Sequence, residues 1–462
     1  LHRGVTTSET SPAASNTGSD TGSAVALAVA LLGFFVVTLD AVIVNIALPD
    51  VRADLGGGIA GLQWVVDGYT LTFAAFLLSA GSLSDRVGAK RAFGLGIAVF
   101  TVASIACGLA PELGALVAFR FAQGLAAAVV MPSSMALIVQ AYPDPVRRAR
   151  AVGVWAMGGA VASSAGPVLG GLLTVASWRW IFLVNVPVGA VALVLLRRVA
   201  RSGQHRVPFD VAGQVIGALA VAALVFGAIE SGQARFGQPN VLAAFGVAVL
   251  GLAAFALVEA RVTHPMLPPD LFRSRTVVAA VVIGFAFMIG FYGMPFVMSL
   301  VLQQHGLSPL GTGLVFLPMM LVGMVLSPIV PRVVVRVGAR TVIVTGLLLM
   351  TLGMVALALI PVTAPTWVVA TVMVLVGLGG PTVIPPVIAV LLDTVRGSRA
   401  GTASGVFNTS RQLGGALAVA VFGSLLAAPA GMDAGMRVSL LLAAAVAAAA
   451  ALIGVAGLGT RH

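Results

Sequence analysis

Charge is scarce in this 462-residue sequence: 9% of it is Asp, Glu, Lys or Arg, against roughly 25% in an ordinary soluble domain. With 59% hydrophobic residues as well, a soluble fold of this length could not hide its apolar surface. Cysteine occurs once, at Cys107, which excludes a disulfide framework and any multi-cysteine metal site; in its apolar stretch it reads as a packing residue. Lysine also occurs once, at Lys90, and there is no Gly-Lys-Ser/Thr loop to cradle a phosphate, which argues against a nucleotide-driven machine. The five histidines (His2, His205, His264, His305 and His462) are isolated, lack metal-ligand spacing and read as loop residues. No catalytic residues, no metal and no cofactor are expected, and the chain is not read as an enzyme.

What is present is a series of long apolar runs, such as Ala24 to Leu39 and Val438 to Leu458, each of bilayer-spanning length once its continuation is counted. Breaks at charged residues, Pro and Gly predict fourteen spans: 24–49, 62–83, 92–110, 115–140, 150–174, 180–196, 211–230, 241–259, 276–303, 311–331, 341–361, 366–392, 401–427 and 437–458. Residues 1–23, rich in Ser, Thr and Gly, are expected to form a disordered tail. The run that follows continues through Phe34 to Val37 without a cleavage signal, so it reads as a retained first span.

The net charge of +11 does not point to nucleic acid, because the basic residues fall in short clusters between apolar runs. With the N-terminus in the cytoplasm, the Lys and Arg residues lie in cytoplasmic loops and tails, apart from Arg52, Arg179, Arg235 and Arg437 outside and Arg120 and Arg411 within spans. Both termini are therefore expected in the cytoplasm. Abundant Arg, Ala and Gly fit a GC-rich bacterial genome, and hence a bacterial cytoplasmic membrane. Arg86-Val87-Gly88-Ala89-Lys90 recurs as Arg336-Val337-Gly338-Ala339-Arg340, offset by 250, and Arg150-Ala151 recurs as Arg399-Ala400, offset by 249. Both echoes fall on one side of the membrane, which predicts parallel repeats about an axis along the membrane normal. The expected organisation is an all-α membrane protein: 24–200 as one six-helix bundle, 201–275 as a central two-helix insertion with its loops, and 276–462 as a second six-helix bundle.

Five segments carry a resemblance. They are Leu39 to Pro49 in span one, Gly81 to Arg91 after span two, Arg120-Phe121-Ala122-Gln123-Gly124 in span four, Gly158 to Gly171 with Gly166-Pro167 in span five, and Trp178 to Phe182 with Asn185-Val186-Pro187 at span six. In this order they resemble the 14-span drug:proton antiporter branch of the major facilitator superfamily, which includes antiseptic, quinolone and methylenomycin-resistance exporters. The resemblance implies the facilitator fold. It also implies that Arg120 tunes the first-span acid, and that the loop of Asp85, Arg86, Gly88 and Arg91 latches the cytoplasmic end of the eleventh core helix. The Gly158, Gly166, Pro167 and Gly170 helix would serve antiport.

Elementary physics singles out several of the same residues. Asp40, nine residues before the outer end of its span, sits roughly 13 Å deep, where a carboxylate is costly unless paired or protonated. It is a proton-site candidate, or a packing Asp bonded to a neighbour such as Asn45. Asp67, roughly 7 Å deep, is either a coupling residue or simply solvated in a vestibule. Arg120 has few ways to stay charged except to meet Asp40 or Asp67. Arg411 either faces the cavity or snorkels to the cytoplasmic interface, and Asp85 with Arg86 and Arg91 is a latch or a surface salt bridge. The glycines of span five give a small-residue face for close helix approach, bent at Pro167. Phe34, Trp64, Trp155 and Tyr292, with Arg411, are candidates for an adaptable substrate cavity.

The expected function is proton-coupled efflux of small lipophilic drugs or antibiotics by a monomer in the lipid bilayer. Two absences temper the substrate: no further acid lies within 366–392, and two intramembrane acids face two arginines, which favours neutral or weakly charged substrates over divalent cations. Alternatives are a proton symporter or uniporter for a nutrient, a dedicated exporter of one self-made antibiotic, and a non-transporting membrane scaffold or sensor.

Overall fold

The computed structural model of the chain describes residues 17–203, 210–233, 238–262, 265, 267, 269–361, 363–395 and 400–459. The regular structure there is helical throughout. The first part holds α1 (Thr17–Leu55), α2 (Ile59–Val87), α3 (Ala89–Gly108), α4 (Leu113–Ala141), α5 (Pro145–Ala176), α6 (Trp180–Leu183) and α7 (Asn185–Leu196). Then come α8 (Val211–Gln233) and α9 (Pro239–Glu259), and a 3-10 turn at Pro269–Arg273. The last part holds α10 (Arg275–Gln304), α11 (Pro309–Leu326), α12 (Val330–Val337), α13 (Ala339–Leu359), α14 (Thr366–Thr394), α15 (Ala400–Leu426) and α16 (Met432–Gly457).

Prolines and short caps set many of these limits. Asp144 accepts a hydrogen bond from the Arg147 amide at 2.8 Å, and Ser308 from the Gly311 amide at 3.1 Å, each followed by a proline at the first helical position. The predicted sixth span divides into α6 and α7 because Pro187 has no N–H to give the carbonyl of Leu183, where α6 ends. The predicted span 311–331 likewise stops at Leu326, before Ser327-Pro328, and α12 follows as a separate helix carrying Arg332 and Arg336. Residues 17–23, read from sequence as tail, are the start of α1: the Ser23 hydroxyl donates to the Ala141 carbonyl at 2.9 Å and ties that end to α4. The rest of the tail, 1–16, lies outside the described residues, as do Arg3, Arg206, Arg235, Arg396, Arg399, Arg461 and every histidine but His305.

Among the described residues, eleven helices are long and apolar enough to cross a membrane. α2 joins them if its two limbs, Ile59–Leu77 and Ser79–Val87, are one span bent by 62°. The apolar pair α6–α7 is shorter, and α15 carries Asn408, Thr409, Ser410, Arg411 and Gln412 in its middle.

α1 packs on α5, α2 on α4, and α3 on α4 and α7; in the later set α10 packs on α15 and α16, α11 on α14, and α13 on α14 and α16. Two extensive pairings join the sets, α2 with α15 and α5 with α11. The sequence echoes equate the end of α2 with the end of α12, just past α11, and the start of α5 with the start of α15. A two-fold that exchanges the sets therefore exchanges these two pairings. The echo extends to the backbone. Gly88 and Gly338, at the two helix joins, have φ of 87° and 85°, a region costly for any residue with a Cβ.

α8 lies along the α2–α15 seam. Its Gln214 bonds Ser79 and donates to the Ala75 carbonyl of α2 at 2.8 Å, while Ser424 of α15 donates to the Ala228 carbonyl at 2.5 Å. α9 packs on α8, and only 11% of its apolar window is buried, so its valines and leucines face outward as a membrane-facing helix does.

Between the sets the structure is closed at the end of the bundle where α1 turns into α2, here called the α1–α2 face. Ser299 of α10 donates to the Asn45 carbonyl at 2.6 Å and Gln303 to the Ile46 carbonyl at 2.9 Å. Gln63 of α2 donates to the Val419 and Ala420 carbonyls of α15 at 3.1 and 2.6 Å. Among the described residues the remaining direct hydrogen bond between the sets, Ser164 to the Met320 carbonyl at 3.3 Å, lies deeper. Replacing Ser299 and Gln303 together with Ala removes two bonds that belong to this closed state, each worth about 1 kcal/mol. Together that is about 2 kcal/mol, so the open population should rise about thirtyfold. Maleimide labelling of a cysteine placed at Asn45 would read this, since Cys107 is fully buried; an unchanged labelling rate would show that these bonds do not hold the closure.

Candidate functional site

Asp40 sits in α1, fully buried, at the centre of a polar cluster drawn from five helices. Its Oδ2 accepts from the Arg120 guanidinium at 2.5 Å, and its Oδ1 accepts from Gln123 at 3.1 Å and Asn185 at 2.8 Å. Arg120 also donates through Nε to the Val65 carbonyl of α2 at 2.9 Å and through Nη1 to Gln123 Oε1 at 2.9 Å. Ser104 of α3 accepts from both amides, at 2.7 and 3.1 Å, and the Cys107 thiol donates to Gln123 at 3.2 Å. The guanidinium carbon stands 4.4 Å from the centre of the Tyr69 ring. Every group bonded to Asp40 is a donor, which is the arrangement of an ionised carboxylate held by its counter-ion. Such a pair is tolerable in a membrane interior only because nearly every polar atom around it is satisfied. Asn45 is not among the partners; its amide turns back to the Val42 carbonyl at 3.4 Å.

The sequence brought Arg120 and Asp40 to attention but assigned no role to Gln123, Asn185 or Ser104. A signal was present for Gln123, which lies three residues after Arg120 and so on the same helix face. Close approach of α2 and α4 depends on Gly124: a Cβ there would overlap the Tyr69 carbonyl group and the Thr72 hydroxyl.

Asp67 is different. It is fully buried, and neither carboxylate oxygen has a hydrogen-bond partner. The reading of it as a solvated vestibule residue is therefore corrected: α15 and α8 close over this part of α2 and exclude water. Gln63, one turn earlier, bonds α15, so Asp67 shares the face of α2 that joins the two sets. Arg411, in the middle of α15, donates to Asn408 Oδ1 at 3.2 Å and lies 5.7 Å from the Phe407 ring centre. Its Nε is buried without an acceptor, so Asp67 and Arg411 do not meet.

The glycines of α5 pack against α1. A Cβ on Gly158 would lie 2.9 Å from Leu31, one on Gly166 3.0 Å from Val42, and one on Gly170 2.9 Å from the Ile43 carbonyl oxygen. Pro167, on the neighbouring face, lies against Gly313 of α11. Gly170→Leu should force α1 and α5 apart and cost about 1–3 kcal/mol, seen as a lowered unfolding temperature in detergent; an unchanged midpoint would show that the contact can relax.

The sequence model of the Major Facilitator Superfamily matches residues 30–419. The chain belongs to the major facilitator superfamily. It falls in the drug-resistance exporter branch. It is 35% identical over 412 residues to the methylenomycin A resistance protein of Streptomyces coelicolor, covering 88% of this chain and 87% of that one. It is 39% identical over 407 residues to the multidrug resistance protein Stp of Mycobacterium tuberculosis, covering 86% and 74%. Among solved structures, a POT family transporter superposes with a TM-score of 0.70 at 16% identity, covering 94% of this chain and 96% of that one, a likeness of fold.

Other residues expected to matter in this facilitator fall into four places. Asp85, Arg86 and Arg91 are exposed around the Gly88 join, where Lys90 reaches back to the Arg197 carbonyl at 3.3 Å. The segment just before α15 that such a latch would brace, 396–399, lies outside the described residues. Phe34 and Trp155 stack at 4.0 Å between α1 and α5, and the indole N–H donates to Ser134 at 3.2 Å. Trp64 does not belong with a substrate cavity: it lies 6.2 Å from Phe226 of α8 and 6.1 Å from Phe121, on the face of α2 that carries Ala60 and Leu71. The sequence cannot distinguish a face covered by an inserted helix from one that lines a cavity, since both are apolar. Tyr292 reaches from α10 to the apolar cluster of the first set and so lies at the junction of the two sets.

Proposed function

We propose that this facilitator exports small lipophilic drugs or antibiotics from the bacterial cell in exchange for protons, by alternating access. The observation that carries the proton role is Asp67, buried with neither oxygen partnered on a helix that joins the two sets. A bare charge there is costly, so the residue holds a proton when the surroundings stay as they are. Arg120 already grips the carbonyl of Val65, two residues away. Loss of the proton from Asp67 creates a charge that competes with Asp40 for Arg120, and a rotation of α2 that carries Asp67 round from the α15 side would let it do so. Proton binding would thereby bias how α2 sits against α4 and α15, which is the kind of two-state element that coupling requires.

In this reading α6–α7 and α11 each count as one span and α2 and α15 cross as well, giving fourteen: two sets of six and the inserted pair α8–α9. Cytoplasmic termini follow from the arginine-rich loops. The α1–α2 face is then external, and the structure is the state closed to the outside. Export is supported by the relatives' names, among them the tetracenomycin C resistance and export protein of Streptomyces glaucescens. Asp40, Arg120 and the Asp85 loop keep their expected parts in coupling and gating, and the protein works as a monomer without a cofactor.

The test is proton movement in everted vesicles holding an imposed gradient, with a panel of dyes and antibiotics. Proton release from the vesicle lumen on adding a substrate is the expected result. Proton movement together with the substrate would show symport instead, and a response to one antibiotic alone would make this a dedicated exporter.

A further inference from the structure

The charges inside the bundle do not cancel locally. Asp40 and Arg120 neutralise each other within the first set. Arg411 has no such partner: among the described residues no carboxylate lies within ion-pair distance, its hydrogen-bond acceptor is the neutral Asn408, and its Nε is buried with none. It lies eleven residues into α15, roughly 16 Å along the helix axis, too deep to be a surface charge. Arg411 and Gly415, one turn apart, share a helix face. The space a side chain on Gly415 would take is bounded by Tyr292, 3.5 Å from the place of its Cβ, and Tyr292 in turn touches the first set. Arg411 therefore faces the junction of the two sets, where a transported molecule has to pass. A half-buried guanidinium whose buried Nε donor is unfilled, in a membrane interior, is a receptor for an acceptor group, and its planar fork matches a carboxylate.

We infer that Arg411 binds an acidic group of the transported molecule, so that the substrates of this exporter are organic anions with an apolar body, held between Arg411, Asn408 and Tyr292. The inference rests on the efflux reading and names its substrate class, narrowing the neutral or weakly charged class expected from the sequence. The ligand's charge and the carried proton then occupy different residues, Arg411 and Asp67. An anion leaving and a proton entering both move charge in the direction that an inside-negative potential drives.

The probes are dansyl-glycine and dansyl-glycinamide, which differ in whether they end in a carboxylate. Binding is read on the purified full-length protein by energy transfer from tryptophan. Wild type should bind the acid about tenfold more tightly than the amide. Arg411→Gln should bring the two within about twofold by weakening the acid alone, and Arg411→Lys should keep part of the preference. An unchanged affinity for the amide and an unchanged unfolding temperature show that the variants fold. Failure of wild type to bind the acid, equal binding of acid and amide, or a preference that survives in Arg411→Gln overturns the assignment. Acid binding that depends on Arg411 without outward movement in loaded vesicles would instead keep the anion site and remove the efflux reading; transport of the amide with no preference for the acid would do the reverse.

Discussion

Arg120→Leu should destabilise the protein by about 3–5 kcal/mol and abolish transport. The substitution leaves Asp40 fully buried with only Gln123 and Asn185 as donors, strips the Val65 carbonyl of its partner, and removes the cation lying over the Tyr69 ring. The penalty belongs to the stranded carboxylate more than to the lost contact, and a second variant separates the two. Arg120→Leu combined with Asp40→Leu replaces the pair with apolar groups and should recover most of the stability, because a buried pair is worth little relative to such a replacement. Transport should stay lost in the double variant, since the charges are needed for coupling. Unfolding midpoints in detergent for wild type, both single variants and the double variant complete the cycle. A double variant no more stable than Arg120→Leu would show that the helices depend on Arg120 for packing, and that the stranded charge is not the cause.

How much of this was legible in the sequence depends on which force places each residue. The helices were readable because in a membrane every backbone N–H and C=O must be satisfied within its own segment, so apolar length alone marks a span. The breaks at Ser327-Pro328 and before Pro187 were marked by the same chemistry but were read through, since a hydropathy run does not register a missing N–H. The depth of Asp40 and Arg120 followed from counting residues, and that two opposite charges would meet followed from the cost of leaving either alone. Which neighbours complete the cluster did not follow. Asn185 lies 145 residues from Asp40 and Ser104 lies 64 from it, and only the docking of α3 and α7 on α1 and α4 brings them together. The same holds for Asp67 and Trp64. They sit three residues apart near the start of α2; sequence leaves Asp67 either a coupling residue or solvated in a vestibule, and offers Trp64, as an aromatic, for the cavity. The inserted α8 and the close approach of α15, secured by Gln63, decide otherwise.

Asp67→Asn should uncouple transport without stopping it. The amide has nearly the shape of the acid and the site offers no ion-pair partner to lose, so the fold should be retained, with stability changed by about 1 kcal/mol or less. The variant cannot give up a proton, and the competition for Arg120 proposed above cannot arise. In proteoliposomes the exchange of labelled for unlabelled substrate at equal concentrations should continue at close to the wild-type rate, because it needs only the loaded carrier to reorient. Accumulation against a gradient under an imposed pH difference should fall to background, and substrate should no longer elicit proton movement. Asp40→Asn should behave differently: the amide keeps a carbonyl for its donors but leaves Arg120 without a counter-ion, so exchange and accumulation should be lost together. If Asp67→Asn still accumulates substrate uphill, the proton site lies elsewhere. If it loses exchange as well, Asp67 acts in the reorientation or in substrate binding, and the unpartnered carboxylate has a role other than carrying the proton.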